Sequence, residues 1–265
     1  MISLAFSTCP NDTFIFDALV HGKIDTEGLA FDYQLADIEE LNRRALAGET
    51  EMIKVSYHAW LFLRERYVLL DSGSALGFGN GPLLISKYTY RLEDLPHLSV
   101  AIPGQYTTAH LLLNIAAPNV REKQVMIFSG IEEAILDDRV DCGVIIHENR
   151  FTFEQKGLKK MLDLGQYWEK LTGSPIPLGG IIARKGLGYN VINKLNRIVY
   201  RSVEYAMKHP DESMPFVREH AQAMDEGVMQ KHIHLYVNEN TLSLGTGGKV
   251  ALTKLQLIAK EKGLI

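Results

Sequence analysis

Residues 142–153 read Cys142-Gly143-Val144-Ile145-Ile146-His147-Glu148-Asn149-Arg150-Phe151-Thr152-Phe153. An apolar run long enough for a buried strand, Asp141 to Ile146, ends abruptly there in a histidine, a carboxylate and an arginine. In open α/β sheets ligands bind just outside the carboxyl ends of strands, so an imidazole at that point is a candidate general base. A histidine that merely satisfies a backbone carbonyl at a strand end gives the same pattern, and the stretch alone leaves both readings open.

Working outward, strand, polar turn and helix recur twice. Upstream of the histidine, a strand over Ser99–Ile102 leads through Pro103-Gly104-Gln105-Tyr106-Thr107-Thr108 into a helix over Ala109–Ala116, and Gln124–Phe128 and Ile131–Leu136 read as strand and helix. At the N-terminus a strand over Ile2–Ser7 leads through Thr8-Cys9-Pro10-Asn11-Asp12-Thr13 into a helix over Phe14–Val20, stopped by Gly22. Both turns present unpaired helix N–H groups that suit a carboxylate or another anion. Ordinary N-capping by Asn11, Asp12 or one threonine fits the first turn equally, whereas Thr107 and Thr108 together offer more hydroxyls than capping needs.

Between these units lie a strand over Gly28–Leu35, a helix over Ile38–Ala47 ending at Gly48, and a strand over Glu51–Val55. A helix over Tyr57–Arg64 and a strand over Tyr67–Leu70 follow. Lys54, Val55, Ser56 and Tyr57 thus mark a strand end that supplies a cation and two hydroxyls, as a polyhydroxylated anionic ligand needs, although each residue alone also suits a cap or a surface. The glycine-dense Gly73–Pro82 has no phosphate-loop spacing and lets backbone approach backbone or a ligand.

Downstream, Phe153–Thr172 reads as polar and helical, and Pro175-Ile176-Pro177-Leu178-Gly179-Gly180 leads to a strand over Ile181–Ala183 that resembles Pro82–Ser86. The two suggest a paired crossing. The expected architecture is α/β and two-lobed: residues 1–89 with 180–265 form a large domain, 90–179 an inserted smaller one, joined by two hinge strands with a ligand between them. Helices over Tyr189–Lys208, Asp211–Ala223, Gly227–Val237 and Gly248–Lys262 should cover the first domain's sheet, and an apolar stripe on them could instead form a homodimer. His232 and His234 stand two apart, do not share a helix face, and make no metal site. Tyr236, Asn238 and Asn240 are polar candidates near this end.

A chain of 265 residues, 46% hydrophobic and of formal charge -4, can bury a large core and carries no basic footprint for nucleic acid or an anionic membrane. A small-molecule partner is expected. Two cysteines, Cys9 and Cys142, offer no disulfide framework, the N-terminus lacks a signal-peptide pattern, and no apolar stretch reaches a membrane span. The expectation is a cytoplasmic protein.

Taken together, Cys9-Pro10-Asn11-Asp12-Thr13-Phe14-Ile15-Phe16, Lys54-Val55-Ser56-Tyr57, Pro103-Gly104 with Thr107-Thr108, and Gly143-Val144-Ile145-Ile146-His147-Glu148 followed by Arg150-Phe151-Thr152 resemble the 1,4-dihydroxy-6-naphthoate synthases of the futalosine route to menaquinone. The resemblance runs through essentially the whole chain. It implies a two-lobed, type 2 periplasmic-binding-protein-like fold and a lyase that converts cyclic dehypoxanthine futalosine to 1,4-dihydroxy-6-naphthoate and a small sugar-derived fragment, with no metal or organic cofactor. It further implies His147 as the proton-abstracting base, Lys54 to Tyr57 as a substrate-binding strand end, and Thr107 with Thr108 as the binding turn of the other lobe. Asn11, Asp12 and Thr13 join them as candidate binding residues. The family's usual glycine after His-Glu is Asn149 here, which makes a left-handed turn at that position less favourable.

Three other readings use the same residues. A solute-binding protein would capture a small aromatic carboxylate without chemistry, and fold alone does not separate it from an enzyme. Chorismate dehydratase, of the same pathway and a similar fold, acts on a different carboxylated ring. Cys9 at a helix N-terminus would have a stabilised thiolate and could act as a nucleophile.

Overall fold

A computed structural model describes residues 1–221 and 225–265. Two sheets organise it. The first draws on β1 (Ile2–Ser7), β2 (Phe31–Ala36), β3 (Met52–Ser56), β4 (Tyr67–Leu69), β5 (Ala75–Gly77) and β11 (Ile176–Arg184), in the order β2-β1-β3-β11-β4 with β5 also pairing β11. The second draws on β6 (Leu83–Ser86), β7 (Ser99–Ile102), β8 (Glu122–Val125), β9 (Cys142–Ile145) and β10 (Lys159–Asp163), in the order β10-β6-β9-β7-β8.

Each sheet is built on parallel strands linked by helices. β1 pairs in parallel with β2 and β3 through α1 (Pro10–Val20) and α2 (Ile38–Ala47); β7 does so with β8 and β9 through α4 (Thr108–Ala116) and α5 (Ile131–Leu136). That winding leaves the C-terminal ends of β1, β3, β7 and β9 as loop-bearing strand ends. α3 (Tyr57–Leu63) follows β3 directly. β3 and β9 are buried along their whole length; β9 accordingly reads as a continuous apolar run, while β3 buries Lys54 and Ser56 among its apolar residues.

Apolar packing covers both faces of the first sheet. Leu4, Phe6, Met52 and Ile181 meet α1 and the buried stripe Leu195, Ile198, Val199, Val203 and Ala206 of α7 (Tyr189–Lys208), with α8 (Pro210–His220) and α9 (Glu226–Tyr236) beside it. The opposite face packs Ala5, Ile53, Val55 and Ile182 under α2 and α3. The sequence placed all the C-terminal helices on the first sheet. α11 (Gly245–Glu261), reached through α10 (Glu239–Leu242), instead packs Leu252 and Leu255 in the cluster that holds Leu111 and Leu112 of α4 and Trp168 of α6 (Leu164–Thr172), so it ties the two sheets together.

Several boundaries differ from the sequence reading. α1 begins at Pro10, not Phe14, because proline is favoured at the first helical position, where its missing N–H is not needed. Lys159–Asp163, within the Phe153–Thr172 passage expected to be polar and helical, is an antiparallel edge strand on β6, half-exposed and so without an apolar run. The strands at Pro82–Ser86 and Ile181–Ala183 do not pair with each other: β6 sits inside the second sheet, between β9 and β10, while β11 pairs β3, β4 and β5. α8 ends at His220, and the predicted extension at 222–223 lies outside the described residues.

The chain passes between the sheets at 78–82 and again over 164–175. The two passages touch. A Cβ on Gly81 would lie 2.3 Å from Cα of Gly165, and Leu164 N donates to Pro82 O at 3.1 Å. Only residues without side chains allow that approach.

Candidate active site

Between the sheets lies a cleft of about 620 Å³, its open mouth included. The ends of β1, β3 and β9 and the start of α4 meet there. Of the residues singled out from sequence, Asn11, Asp12, Lys54, Ser56, Thr107, Thr108, His147 and Tyr236 line it. Val55, Tyr57, Thr13, Asn238 and Asn240 do not. Strand alternation sends Lys54 and Ser56 to the cleft and Val55 into the core beneath α2 and α3. Tyr57 is buried with its hydroxyl on Ser74 Oγ at 2.6 Å, and Thr13 donates back to Cys9 O within α1.

His147 sits at the junction of the two lobes with φ of 56°, a left-handed conformation that side-chain-bearing residues seldom adopt. Such strain persists where the surroundings hold it, and it clusters at functional sites. Its Nδ1 lies 3.2 Å from Cys9 Sγ, and its ring edges onto Phe128 with centroids 4.9 Å apart. Burial lowers its pKa to about 4, with Asp12 opposing and Lys54 reinforcing, so the imidazole is neutral near pH 7. The left-handed residue of this turn is His147 and not Asn149, whose amide donates to Glu132 Oε2 at 2.9 Å.

On the first lobe, Asp12 is the centre of a buried polar cluster. It accepts from Ser7 Oγ at 2.7 Å and Asn11 Nδ2 at 2.9 Å, and it pairs with Lys54 Nζ at 2.9 Å. Lys54 also donates to Gly73 O at 2.9 Å. Two expectations change as a result. The start of α1 is not an open anion site, because Pro10 has no N–H and the Asp12 and Thr13 amides both donate to Cys9 O; Cys9, not Asn11 or Asp12, stands at the N-cap without a capping side-chain bond. The Lys54 charge is matched inside the protein and is not free for a ligand. Cys9 is no thiolate either: burial first, then Glu148 and Asp12, push its pKa well above the ordinary value.

Behind His147 a second chain of contacts crosses the lobes. Asn11 Nδ2 is used on Asp12, so its Oδ1 must accept from His232 Nε2, 2.8 Å away. That fixes His232, buried and held neutral, with its bare Nδ1 toward Glu148 Oε2 at 3.9 Å. Burial, with Glu132 nearby, raises the Glu148 pKa, and among the described residues neither its carboxyl oxygens nor His232 Nδ1 has a hydrogen-bond partner. His234, two residues on, turns away to Gln230 O. Arg150 donates to Gly81 O at 2.6 Å, and Tyr236 OH donates to Asn80 O at 3.0 Å.

The α4 side is closed by Glu39, whose buried carboxylate accepts from Gln105 N at 2.9 Å and Tyr106 N at 3.1 Å. Gly104 lies so close that a Cβ there would be 2.3 Å from Glu39 Oε2. Thr107 caps α4 by accepting from His110 N and donates to Gly104 O; Thr108 donates to Leu178 O and accepts from His58 N. Both hydroxyl protons are therefore engaged. His110 N and Leu111 N are thus both used on Thr107, whereas the amides of Thr108 and Ala109, two residues that line the cleft, have no acceptor within the helix and remain for a ligand. Sequence reasoning missed Ser7, Ile38, Ala75, Asn80, Pro82 and Leu178 along this wall. Ala75, Asn80 and Pro82 carried a signal, as members of the glycine-dense Gly73–Pro82 stretch.

Among the described residues no group of three or more His, Cys, Asp or Glu side chains is placed to hold a metal ion, and no helix is long and apolar enough to cross a membrane.

Comparison with known proteins follows the same lines. A crystal structure of an Archaeoglobus fulgidus protein superposes with a TM-score of 0.94 at 35% identity, covering 100% of this chain and 98% of that one. A Candida albicans protein described as having the generic periplasmic binding protein fold matches with a TM-score of 0.71 at 14% identity over 100% of this chain and 90% of its own, which shows the fold alone. Proteins named 1,4-dihydroxy-6-naphthoate synthase from Thermus thermophilus and Streptomyces coelicolor are each 43% identical, covering 99% and 100% of this chain and 95% and 94% of their own lengths. A family model described as menaquinone biosynthesis matches residues 2–261. The chain has the two-lobed periplasmic-binding-protein-like fold and belongs to the menaquinone biosynthesis family.

Proposed function

We propose that this chain is a carbon–carbon lyase that converts cyclic dehypoxanthine futalosine to 1,4-dihydroxy-6-naphthoate, with His147 as general base and without metal or organic cofactor. The observation that carries the reading is the neutral, conformationally strained imidazole of His147 facing a cleft shared by both lobes. The names of the 43%-identical relatives support the reaction. A cytoplasmic setting suits its two buried free thiols.

Cleaving a carbon–carbon bond while a ring aromatises requires loss of a proton beside a carbonyl. A neutral imidazole takes that proton, and the electron pair moves onto the carbonyl oxygen. The developing oxyanion is met by the first-turn amides of α4 and by Ser56, whose hydroxyl accepts from Asn42 and keeps its own proton to donate. Collapse of the enolate breaks the carbon–carbon bond, and the imidazolium returns the proton to the departing sugar-derived carbon. Because aromatisation drives the sequence, the protein mainly fixes geometry.

The test is turnover. Purified protein mixed with cyclic dehypoxanthine futalosine, without added metal, should release the naphthoate, followed by absorbance and mass. Tight binding with no product would return the chain to a solute receptor.

A further inference from the structure

Most polar side chains around the cleft are engaged within the protein. Ser7, Asp12 and Lys54 hold one another, Asn11 uses both ends of its amide, and Thr107 and Thr108 donate to backbone carbonyls. Asn80 differs. It lines the cleft, is 1% exposed, and among the described residues neither its Nδ2 nor its Oδ1 has a hydrogen-bond partner. A buried amide with both ends unsatisfied carries a desolvation cost that native chains rarely keep without a use.

The amide is also held in place. Tyr236 fixes the backbone by donating to Asn80 O at 3.0 Å, and a Cβ on Gly77 would fall 2.8 Å from Asn80 Nδ2, so glycine at 77 preserves its position. The residue lies on the passage between the lobes.

The chemistry of the amide restricts what can satisfy it. It presents two N–H donors beside an acceptor oxygen. A carboxylate or ketone would meet the donors and leave Oδ1 facing another oxygen. Neighbouring hydroxyls satisfy both, one accepting from Nδ2 and the next donating to Oδ1. We infer that Asn80 is a specificity-determining residue that reads adjacent hydroxyls on the sugar-derived ring of the substrate. The inference rests on the reaction proposed above.

Binding of cyclic dehypoxanthine futalosine by calorimetry tests it, in His147→Ala alone and combined with Asn80→Leu or Asn80→Ala. The same proteins are titrated with 1,4-dihydroxy-6-naphthoate, which keeps the carboxylate and lacks the sugar-derived ring. Both Asn80 variants should lose about ten- to hundredfold in affinity for the substrate, from loss of the hydrogen bonds, and none for the naphthoate. Asn80→Ala cannot overpack the wall, so agreement between the variants separates recognition from misfolding. Unchanged substrate affinity, or equal loss for both ligands, would overturn the inference. In the otherwise wild-type enzyme, normal turnover with an unaltered KM in Asn80→Leu rejects the inference alone. Wild type that neither binds nor converts the substrate rejects the reaction, and the inference with it.

Discussion

Cys9 Sγ and His147 Nδ1 approach to 3.2 Å across the cleft, one residue at the end of β1 and the other at the end of β9. A base needs one bare ring nitrogen, so the neutral imidazole carries its proton on Nδ1 and donates to Cys9 Sγ, which orients the ring with Nε2 free for substrate; burial keeps the thiol protonated, so it does not attack. Cys9→Ser keeps an acceptor for Nδ1–H and should hold kcat within about tenfold of wild type, the scale of one hydrogen bond. Rapid-quench mass spectrometry should find no covalent intermediate on Cys9.

The Asp12–Lys54 pair is almost completely buried, with side chains 3% and 4% exposed. Removing one partner strands a buried charge and should cost about 3–5 kcal/mol of stability. Urea melts of Asp12→Asn, Lys54→Met and the double variant should show the double variant losing less than the two single losses together. Additive losses would mean that the pair is not coupled.

His58 is 6% exposed, donates Nδ1–H to Thr107 O, and has its pKa lowered to about 4, chiefly by burial and then by His110. Between about pH 4 and the ordinary value of 6.5 the unfolded chain binds a proton that the folded chain refuses. Stability from this group is therefore complete above pH 6.5 and falls as the pH drops through that window, by up to about 3 kcal/mol. Thermal melts across this range should fall less steeply for His58→Gln than for wild type. Parallel curves would contradict the sign.

Gly81 and Gly165 bring the two passages between the sheets into backbone contact. Gly165→Ala would press a methyl to within 2.8 Å of Gly81 Cα and 2.7 Å of Ile176 Cδ1. It should cost about 1–3 kcal/mol by overpacking and lower kcat/KM without touching substrate, because the lobes are forced apart. Small-angle scattering should show a larger radius of gyration than wild type.

Much of this was legible in the residues because the buried parallel strands are largely apolar and their ends carry the chemistry. β1, β7 and β9 read as short apolar strands, β3 by the polar residues at its end, and His147 stands out by ending an apolar run. What failed was local. Pro10 reads as a turn residue unless its place at a helix start is recognised, and β10 hides in Lys159-Lys160-Met161-Leu162-Asp163 because an edge strand needs little apolar surface. Lys54 looked like a ligand cation because its partner Asp12 lies 42 positions earlier in the chain, beyond any spacing rule. His232 was weighed only against His234 as a metal pair, whereas its actual partners, Asn11 and Glu148, come from α1 and from the turn after β9. Asn80 could be suspected only as part of a glycine-rich turn; its unpartnered amide becomes visible once the cleft is formed.

The central claim is that His147 removes the proton. It is tested most directly by single-turnover kinetics of His147→Ala beside wild type with cyclic dehypoxanthine futalosine, together with binding of the same compound. The account predicts near-normal binding and a kcat lower by about a hundredfold to ten-thousandfold, with the acid limb of wild-type kcat/KM displaced below 6.5 toward about 4. A variant that turns over at close to the wild-type rate would contradict it.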